Sequence, residues 1–317
     1  MTSLVLLGFA ALVAVAACRL LPRAGWVYRA PRLGLAAWYA VLVAMAGSGV
    51  AAAAVMVVRW PQTWAQACTW WTWVIHVFRG DYGVFGLAIA VFAVALLLLV
   101  VARLVWSVVR AGRTVADHRR GHRALLSVVG HYRHDLGVTV VDHDRPAAYV
   151  VGGRAGRVVV TSAAVAQLPP AQLAAVVAHE RAHAAGRHQL LVDAVRALAL
   201  LAPRMLVFGL ASAQVSRLVE IRADEVAAAE HGRLELARAI VACAQPSGET
   251  QFAGALAASG GDALERLNRL LTPPRPVRRM VVGAGGAGLL GLAAMPLLIV
   301  VASELVPVLR TCLGFSC

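Results

Sequence analysis

The sequence predicts an α-helical integral membrane protein with four transmembrane helices and one cytoplasmic, mostly α-helical domain that carries a small β-hairpin or sheet. Hydrophobic residues make up 60% of the 317 residues and charged residues only 15%, which is too apolar for an ordinary soluble protein. Four apolar segments are long enough to cross a hydrocarbon core of about 30 Å: roughly residues 4–21, 35–58, 84–109 and 281–302. None has an acidic residue in its middle, which disfavours pumps and channels.

The first apolar segment also has features of a cleaved signal peptide. Its end, Val15 to Cys18, resembles a bacterial lipoprotein cleavage box, but no positive charge precedes the apolar run and four arginines follow it, Arg19, Arg23, Arg29 and Arg32. We therefore expect a retained helix. The positive-inside rule then places the N-terminus outside and the Arg23–Arg32 loop in the cytoplasm.

The same rule gives the domain organisation. Residues 1–110 form a membrane domain with three helices, residues 111–279 a cytoplasmic domain, and residues 280–317 the fourth helix and a short external tail. The net charge of +14 is explained by this topology and by attraction to the lipid bilayer. Direct nucleic-acid binding is not predicted, because base-stacking and helix-turn-helix patterns are missing.

The absence of lysine excludes some kinds of catalysis, and the predicted topology divides the five cysteines between the two sides of the membrane. The sequence contains no lysine, which excludes a lysine nucleophile and the Ser-x-x-Lys acylation centre. The predicted topology places Cys68, Cys312 and Cys317 outside, and Cys18 and Cys243 at the cytoplasmic side. Pairing among the external cysteines stays open.

The cytoplasmic region begins with a predicted helical stretch, Val115–Tyr132. Three short β-like runs follow, Val138–Val141, Ala147–Val151 and Arg157–Thr161, of which the last two form a hairpin over Ala147–Thr161 with Arg157–Thr161 as its exposed edge.

Helical patterns dominate the remainder of that region. We expect a long buried helix over Gln172–Val192 and a short amphipathic helix over Leu264–Leu271. Val195–Ala213 is predicted as a helix packed in the domain or lying on the inner leaflet, because Arg196 and Pro203 make a fifth membrane span costly. The stretch Gln245–Asp262 is predicted to be a mobile loop.

The central motif is His179-Glu180-Arg181-Ala182-His183. Residues four apart share one face of a helix, so both imidazoles can reach a single zinc ion while Glu180 lies beside them. Zinc acidifies water and polarises a carbonyl group, and Glu180 would take the proton of the attacking water. The motif therefore predicts zinc-dependent hydrolysis of a peptide bond.

Catalytic zinc sites ordinarily have three protein ligands, so a third ligand is required. Glu220 is the best candidate, because Glu220 and Asp224 are acidic residues four apart and share a helix face. Asp224 would orient one ligand histidine.

Three further residues have two interpretations each. His188 either supports a ligand histidine or is a helix-terminal histidine favoured by the helix dipole. His231 could stabilise the oxyanion but is better explained as a surface residue, and Arg222 has the same two interpretations.

These motifs, together with the preceding hairpin and the run Pro-Pro-Ala-Gln-Leu-Ala-Ala-Val-Val-Ala from Pro169, resemble the gluzincin membrane peptidases. The four spans and the domain between the third and fourth resemble the BlaR and MecR antirepressor branch, and more distantly the HtpX and CAAX-protease branch. The resemblance implies cleavage of a cytoplasmic protein, such as a BlaI-type repressor. The chain ends some fifteen residues after the fourth span, without the penicillin-binding sensor domain of that branch, so β-lactam acylation is not implied.

Three hypotheses follow. The first is a signalling endopeptidase that inactivates a repressor, the second an HtpX-like peptidase for membrane-protein quality control, and the third a non-catalytic membrane receptor. The intact zinc-binding and base residues argue against the third.

Overall fold

The computed structural model describes residues 2–59, 130–151, 157–244 and 262–312. The chain divides into two compact units. The first unit comprises Met1–Leu21, Ala36–Ala111 and Gly283–Cys317, and the second unit comprises Pro22–Leu35 and Gly112–Val282.

Three long helices supply the apolar segments of the described residues: α1 (Thr2–Leu20), α3 (Pro31–Arg59) and α10 (Arg279–Cys312). Each is long and apolar enough to cross a membrane, over Thr2–Arg23, Pro31–Ala52 and Met280–Ser303. The span predicted over residues 84–109 lies outside the described residues. The last predicted span, about residues 281–302, agrees with the candidate span Met280–Ser303, and the helix that contains it continues to Cys312.

The second unit contains a four-stranded sheet of β1 (His131–Arg133), β2 (Val138–Val141), β3 (Ala148–Val151) and β4 (Arg157–Thr161). The strand order is β1-β2-β4-β3, with β2 parallel to β4 and the other two pairs antiparallel.

The predicted hairpin is confirmed, because β3 and β4 pair antiparallel over Ala148–Thr161. The predicted edge is wrong. Arg157–Thr161 is paired on both sides because β2 joins it in parallel, and the edge strands of the described sheet are His131–Arg133 and Ala148–Val151. The strand His131–Arg133 also corrects the predicted helical stretch, which ended at Tyr132.

Six helices complete the described part of this unit after the sheet: α4 (Ser162–Gln167), α5 (Pro170–Ala185), α6 (His188–Leu201), α7 (Leu206–His231), α8 (Arg233–Ala244) and α9 (Asp262–Leu271). The helix predicted over Leu264–Leu271 is thereby confirmed. Residues 245–261 of the predicted mobile loop lie outside the described residues.

Two predicted helices are interrupted. The helix predicted over Gln172–Val192 breaks after Ala185, where Gly186 is followed by Arg187 in a left-handed conformation with φ 49°. The helix predicted over Val195–Ala213 breaks between Leu201 and Leu206 around Pro203, which cannot continue a helix.

Two apolar clusters hold the elements together. The sheet packs on α4 and α5 through the buried residues Val138, Val158, Val160, Ala164, Leu168, Leu173 and Val177. The second cluster joins α5, α7, α8 and α9 through Ala175, Ala178, Ala227, Ala228, Leu236, Ala237 and Leu270. Alanines supply all the α5 and α7 contacts of that cluster, and such small side chains let two helices approach closely.

The segment Pro22–Leu35, which includes the short helix α2 (Gly25–Arg29), packs on α7 and α9 within the second unit. The hydroxyl of Tyr28 donates to Gln214 Oε1 at 2.8 Å, and the guanidinium of Arg217 lies 4.5 Å from the centre of the Tyr28 ring. Arg269 donates to the Tyr28 carbonyl at 2.8 Å. The link between the first two apolar helices is therefore part of the same compact unit as α7 and α9.

Candidate metal centre

The two histidines of the motif lie one turn apart on α5 and present their Nε2 atoms to each other at 3.1 Å. His179 is only 7% exposed. Helix α5 begins at Pro170, whose missing N–H costs nothing in the first turn. The apolar positions on the same helix, including Ala175 and Ala178, pack against α7 and turn the imidazoles towards that helix.

Glu220 on α7 completes a cluster of three candidate metal ligands with His179 and His183. Its Oε2 lies 3.5 Å from Nε2 of His179, and its Oε1 lies 3.5 Å from Nε2 of His183. Zinc with tetrahedral ligands at about 2.0–2.1 Å separates neighbouring ligand atoms by roughly 3.3 Å. The two Glu220 distances involve different carboxylate oxygens, but one ligand atom from each of the three residues lies within 4.8 Å of the other two. The three residues are therefore close enough to bind one ion, and His, His and Glu are a donor set that catalytic zinc sites use.

Asp224, one turn after Glu220, approaches the other nitrogen of the first histidine. Its Oδ1 lies 3.0 Å from the buried Nδ1 of His179, although the geometry is not that of a well-aligned hydrogen bond. Burial alone would lower the pKa of His179, but the carboxylates of Asp224 and Glu220 raise it to about 9. Burial opposes ionisation of Glu220 too, yet its contacts with both histidines hold its pKa well below the ordinary value.

His188 supports the second histidine from the first position of α6. Its Nδ1 lies 3.1 Å from Nδ1 of His183, and its side chain is buried. Burial and the neighbouring His183 lower the pKa of His188 to about 4, so the ring stays neutral. Its Nδ1 can then accept a hydrogen bond from the Nδ1–H group of His183. The dipole interpretation of His188 is wrong, because the residue begins a helix rather than ends one.

Gly186 makes room for that ring. A Cβ atom at this position would lie 2.3 Å from Nε2 of His188 and 2.5 Å from its Cδ2, closer than any real contact. The glycine and the left-handed Arg187 thus fold the chain back so that His188 reaches His183.

Glu180 lies beside the cluster and lines a cavity of about 610 Å³ next to it. Burial raises the pKa of Glu180, which makes its carboxylate a stronger base, while the two neighbouring histidines oppose that rise. A general base in a catalytic cleft is expected to have this shift.

Arg266 on α9 is the functional candidate that the sequence patterns missed. Its guanidinium donates two hydrogen bonds to Asp224, at 2.8 and 2.7 Å, and lies 3.3 Å from Oε2 of Glu220. Nη2, which donates one of the hydrogen bonds to Asp224, also lies 3.4 Å from Nε2 of His179. The sequence does contain a pattern that could have identified it. Arg266 is four residues before the buried Leu270, so it lies on the inward face of an amphipathic helix.

The cavity is bounded on one side by the exposed edge of the sheet. Pro146, Ala147 and the first residue of β3, Ala148, line it together with Glu180 and Glu220. The remaining walls come from α7, α8 and α9, with Ser216, Leu236, Ala239, Ile240, Cys243, Ala263 and Arg266 among the lining residues. An extended peptide and a metal centre can therefore share one cleft.

Two other candidates lie away from this cavity. His231 ends α7, lies 3.6 Å from Glu230 and is not a lining residue, so it has the surface role that the sequence favoured. Arg222 lies 3.6 Å from Glu225 and lines a different cavity, which it shares with His188.

Comparison with known families agrees with this chemistry. The model of Peptidase family M48 matches residues 116–273, about half of the chain. The match spans both histidines, Glu180, Glu220 and Arg266, and it supports a metallopeptidase of that family. It does not separate the BlaR-like branch from the HtpX-like branch. No curated protein and no solved structure matches the chain significantly.

Proposed function

We propose that the protein is a membrane-embedded, zinc-dependent endopeptidase that cleaves a cytoplasmic protein. The observation that carries this proposal is the cluster of His179, His183 and Glu220, whose ligand atoms lie within 4.8 Å of one another beside a cleft that Glu180 also lines. The match to Peptidase family M48 and the three candidate membrane helices support it.

His179, His183 and Glu220 would hold the ion. Asp224 fixes the orientation of His179 through Nδ1, and His188 does the same for His183. Such contacts orient ligand rings and raise metal affinity. Zinc, when bound there, supplies Lewis-acid chemistry that acidifies water and polarises the scissile carbonyl.

Glu180 would act as the general base and then as the general acid. Its carboxylate takes a proton from water as the water oxygen forms a bond to the carbonyl carbon. The same proton passes to the nitrogen of the scissile bond as the C–N bond breaks, so the products are a carboxylate and an amine. A raised pKa suits both steps, because it makes the carboxylate a better base near neutral pH.

The substrate would bind as an extended strand along Ala148–Val151. Among the described residues this strand lies at an edge of the sheet and pairs with β4, and its first residue lines the same cleft as Glu180. A peptide that adds to a sheet edge gains main-chain hydrogen bonds whatever its side chains are. The scissile bond would thereby be held alongside the metal ligands.

The cytoplasmic side is proposed from the arginine distribution and from the packing of Pro22–Leu35. That segment joins the two N-terminal apolar helices and belongs to the same compact unit as the metal ligands, so both face one side of the membrane. Its arginines assign that side to the cytoplasm. The resemblance to antirepressor peptidases makes a transcriptional repressor the proposed target.

Two comparisons with a Glu180→Gln variant test the proposal, with Glu230→Gln, an exposed change on α7, as the control. The purified Glu180→Gln protein should keep about one zinc per chain and lose peptide hydrolysis by at least about 100-fold. In cells, one or a few cytoplasmic proteins should accumulate, with a coherent change in transcripts.

Broad accumulation of membrane proteins without coherent transcripts would instead indicate quality control. Unchanged hydrolysis in Glu180→Gln, or a wild-type protein that binds no zinc, would overturn the peptidase assignment itself.

A further inference from the structure

The second unit contains another cavity, which is lined by basic residues and shares Arg266 with the catalytic cleft. It measures about 560 Å³ and is lined by five arginines, Arg29, Arg233, Arg266, Arg269 and Arg275. The acidic residues of its lining are Asp224 and Glu225. The cavity therefore has an excess of three positive charges.

The two carboxylates are already engaged. Asp224 accepts both of its short hydrogen bonds from Arg266, and Glu225 lies 3.6 Å from Arg222 and 4.0 Å from Arg269. Among the described residues, no carboxylate forms an ion pair with the other three arginines of the lining, Arg29, Arg233 and Arg275. Burial lowers the pKa of Arg269, and the nearby carboxylates of Glu225 and Glu265 oppose that shift.

Guanidinium groups that converge on one cavity are typical of sites for phosphate. Each presents a planar fork of donors that matches two oxygens of a phosphate group. The lining also includes apolar groups, Leu270, Pro273, Pro274 and Pro276, which suit the carbon atoms of a ligand attached to such a group.

Two of the lining arginines lie close in sequence to candidate membrane spans. Arg29 is two residues before the candidate span Pro31–Ala52, and Arg275 is five residues before the candidate span Met280–Ser303. The headgroups of anionic phospholipids lie at the same level as the ends of such helices and attract basic residues there.

We propose that this cavity binds a phosphate-bearing anion, supplied by the headgroup of an anionic phospholipid. The site is separate from the catalytic cleft, although Arg266 lines both cavities and Asp224 contacts the metal ligand His179.

The test uses the full-length protein in detergent micelles and measures bound lipid by native mass spectrometry. Phosphatidylglycerol is compared with phosphatidylcholine, and inorganic phosphate is titrated separately with the melting temperature as readout. Arg233→Gln removes one arginine at the start of α8, and Arg275→Gln removes another from the non-helical segment before α10. Arg238→Gln is the matched control, because Arg238 is exposed on the same helix as Arg233 and does not line the cavity.

Wild type and Arg238→Gln should bind phosphatidylglycerol in preference to phosphatidylcholine, and each cavity variant should lose about fivefold in affinity. If inorganic phosphate stabilises the protein with the same dependence on Arg233 and Arg275 while lipid does not bind, the anion site stands and its ligand is soluble. Equal binding of the two lipids together with no phosphate effect, or cavity variants that bind as wild type does, would overturn the proposal. Zinc content measured in each variant separates loss of the anion site from loss of folding.

Discussion

Oδ1 of Asp224 lies 3.0 Å from Nδ1 of His179, while Nε2 of the same imidazole faces Glu220 and His183. One ring thus joins a buried carboxylate to the proposed ligand cluster. Because the pKa of metal-free His179 is about 9, both nitrogens carry a proton near neutral pH. When Nε2 binds a metal ion, the remaining proton is on Nδ1, where it faces Asp224.

The Asp224→Asn variant should lose zinc affinity by about 10- to 100-fold, because the amide no longer attracts the Nδ1 proton of His179 or orients the ring. Zinc affinity is measured by competition with a chelator, with Glu230→Gln as the control on the same helix. An Asp224→Asn protein with wild-type affinity would show that this contact does not orient the ligand.

The Arg266→Gln variant should be destabilised by about 3 kcal/mol, because it leaves the buried Asp224 carboxylate without its two hydrogen bonds. Denaturant unfolding of the zinc-free protein measures the change. In the double variant with Asp224→Asn, the decrease in the free energy of unfolding should be smaller than the sum of the decreases in the two single variants. The reason is that the double variant also lacks the unpaired carboxylate. Additive losses would mean that the two side chains act independently.

Zinc affinity should rise with pH by about tenfold per pH unit between pH 7 and pH 9. The metal-free His179 has a pKa of about 9, so below that pH a proton must leave before Nε2 can bind the ion. Calorimetry in buffers of different ionisation enthalpy should count about one released proton near pH 7. Affinity that does not change over this range would contradict the raised pKa.

The stability of the metal-free protein should change in the opposite direction. Because the folded pKa of His179 lies above its ordinary value of 6.5, the stabilisation is fully present below pH 6.5 and is lost as the pH rises through about 9. The pH dependence of unfolding in the presence of a chelator measures this loss.

The Gly186→Ala variant should lower both stability and zinc affinity, because the added methyl group requires the space of the His188 ring. A cost of about 1–3 kcal/mol is typical of such overpacking. Gly209→Ala is the matched control: that glycine lies in α7 with open space around its Cβ position, so alanine should stabilise the helix by about 0.5–1 kcal/mol. Equal effects of the two changes would argue against a supporting role for His188.

Local patterns predicted the elements that depend on local physics. Residues 138–141 and 157–161 alternate or run apolar as strands do, and both have the predicted bounds. The spacing of four between His179 and His183, and between Glu220 and Asp224, placed each pair on one helix face, and the close packing of α5 on α7 brings the pairs together.

Features set by tertiary contacts could not be predicted in this way. The parallel pairing of β2 with β4 decides which strand is the edge, and nothing within Arg157–Thr161 encodes its partner. The break at Gly186 depends on the space that the His188 ring needs, which the helical pattern of the flanking residues conceals. Arg266 was missed because its partners lie more than 40 residues away, on other helices.

The position of Arg266 in the chain also sets the order in which the site is made during synthesis. His179 leaves the ribosome 87 residues before Arg266, and Asp224 leaves 42 residues before it. The nascent chain therefore carries its metal ligands and their carboxylates for some time before the neutralising guanidinium is available. Only seven residues separate the end of α9 from the start of α10, so the last helix of the second unit is completed just before synthesis of the last long apolar helix begins.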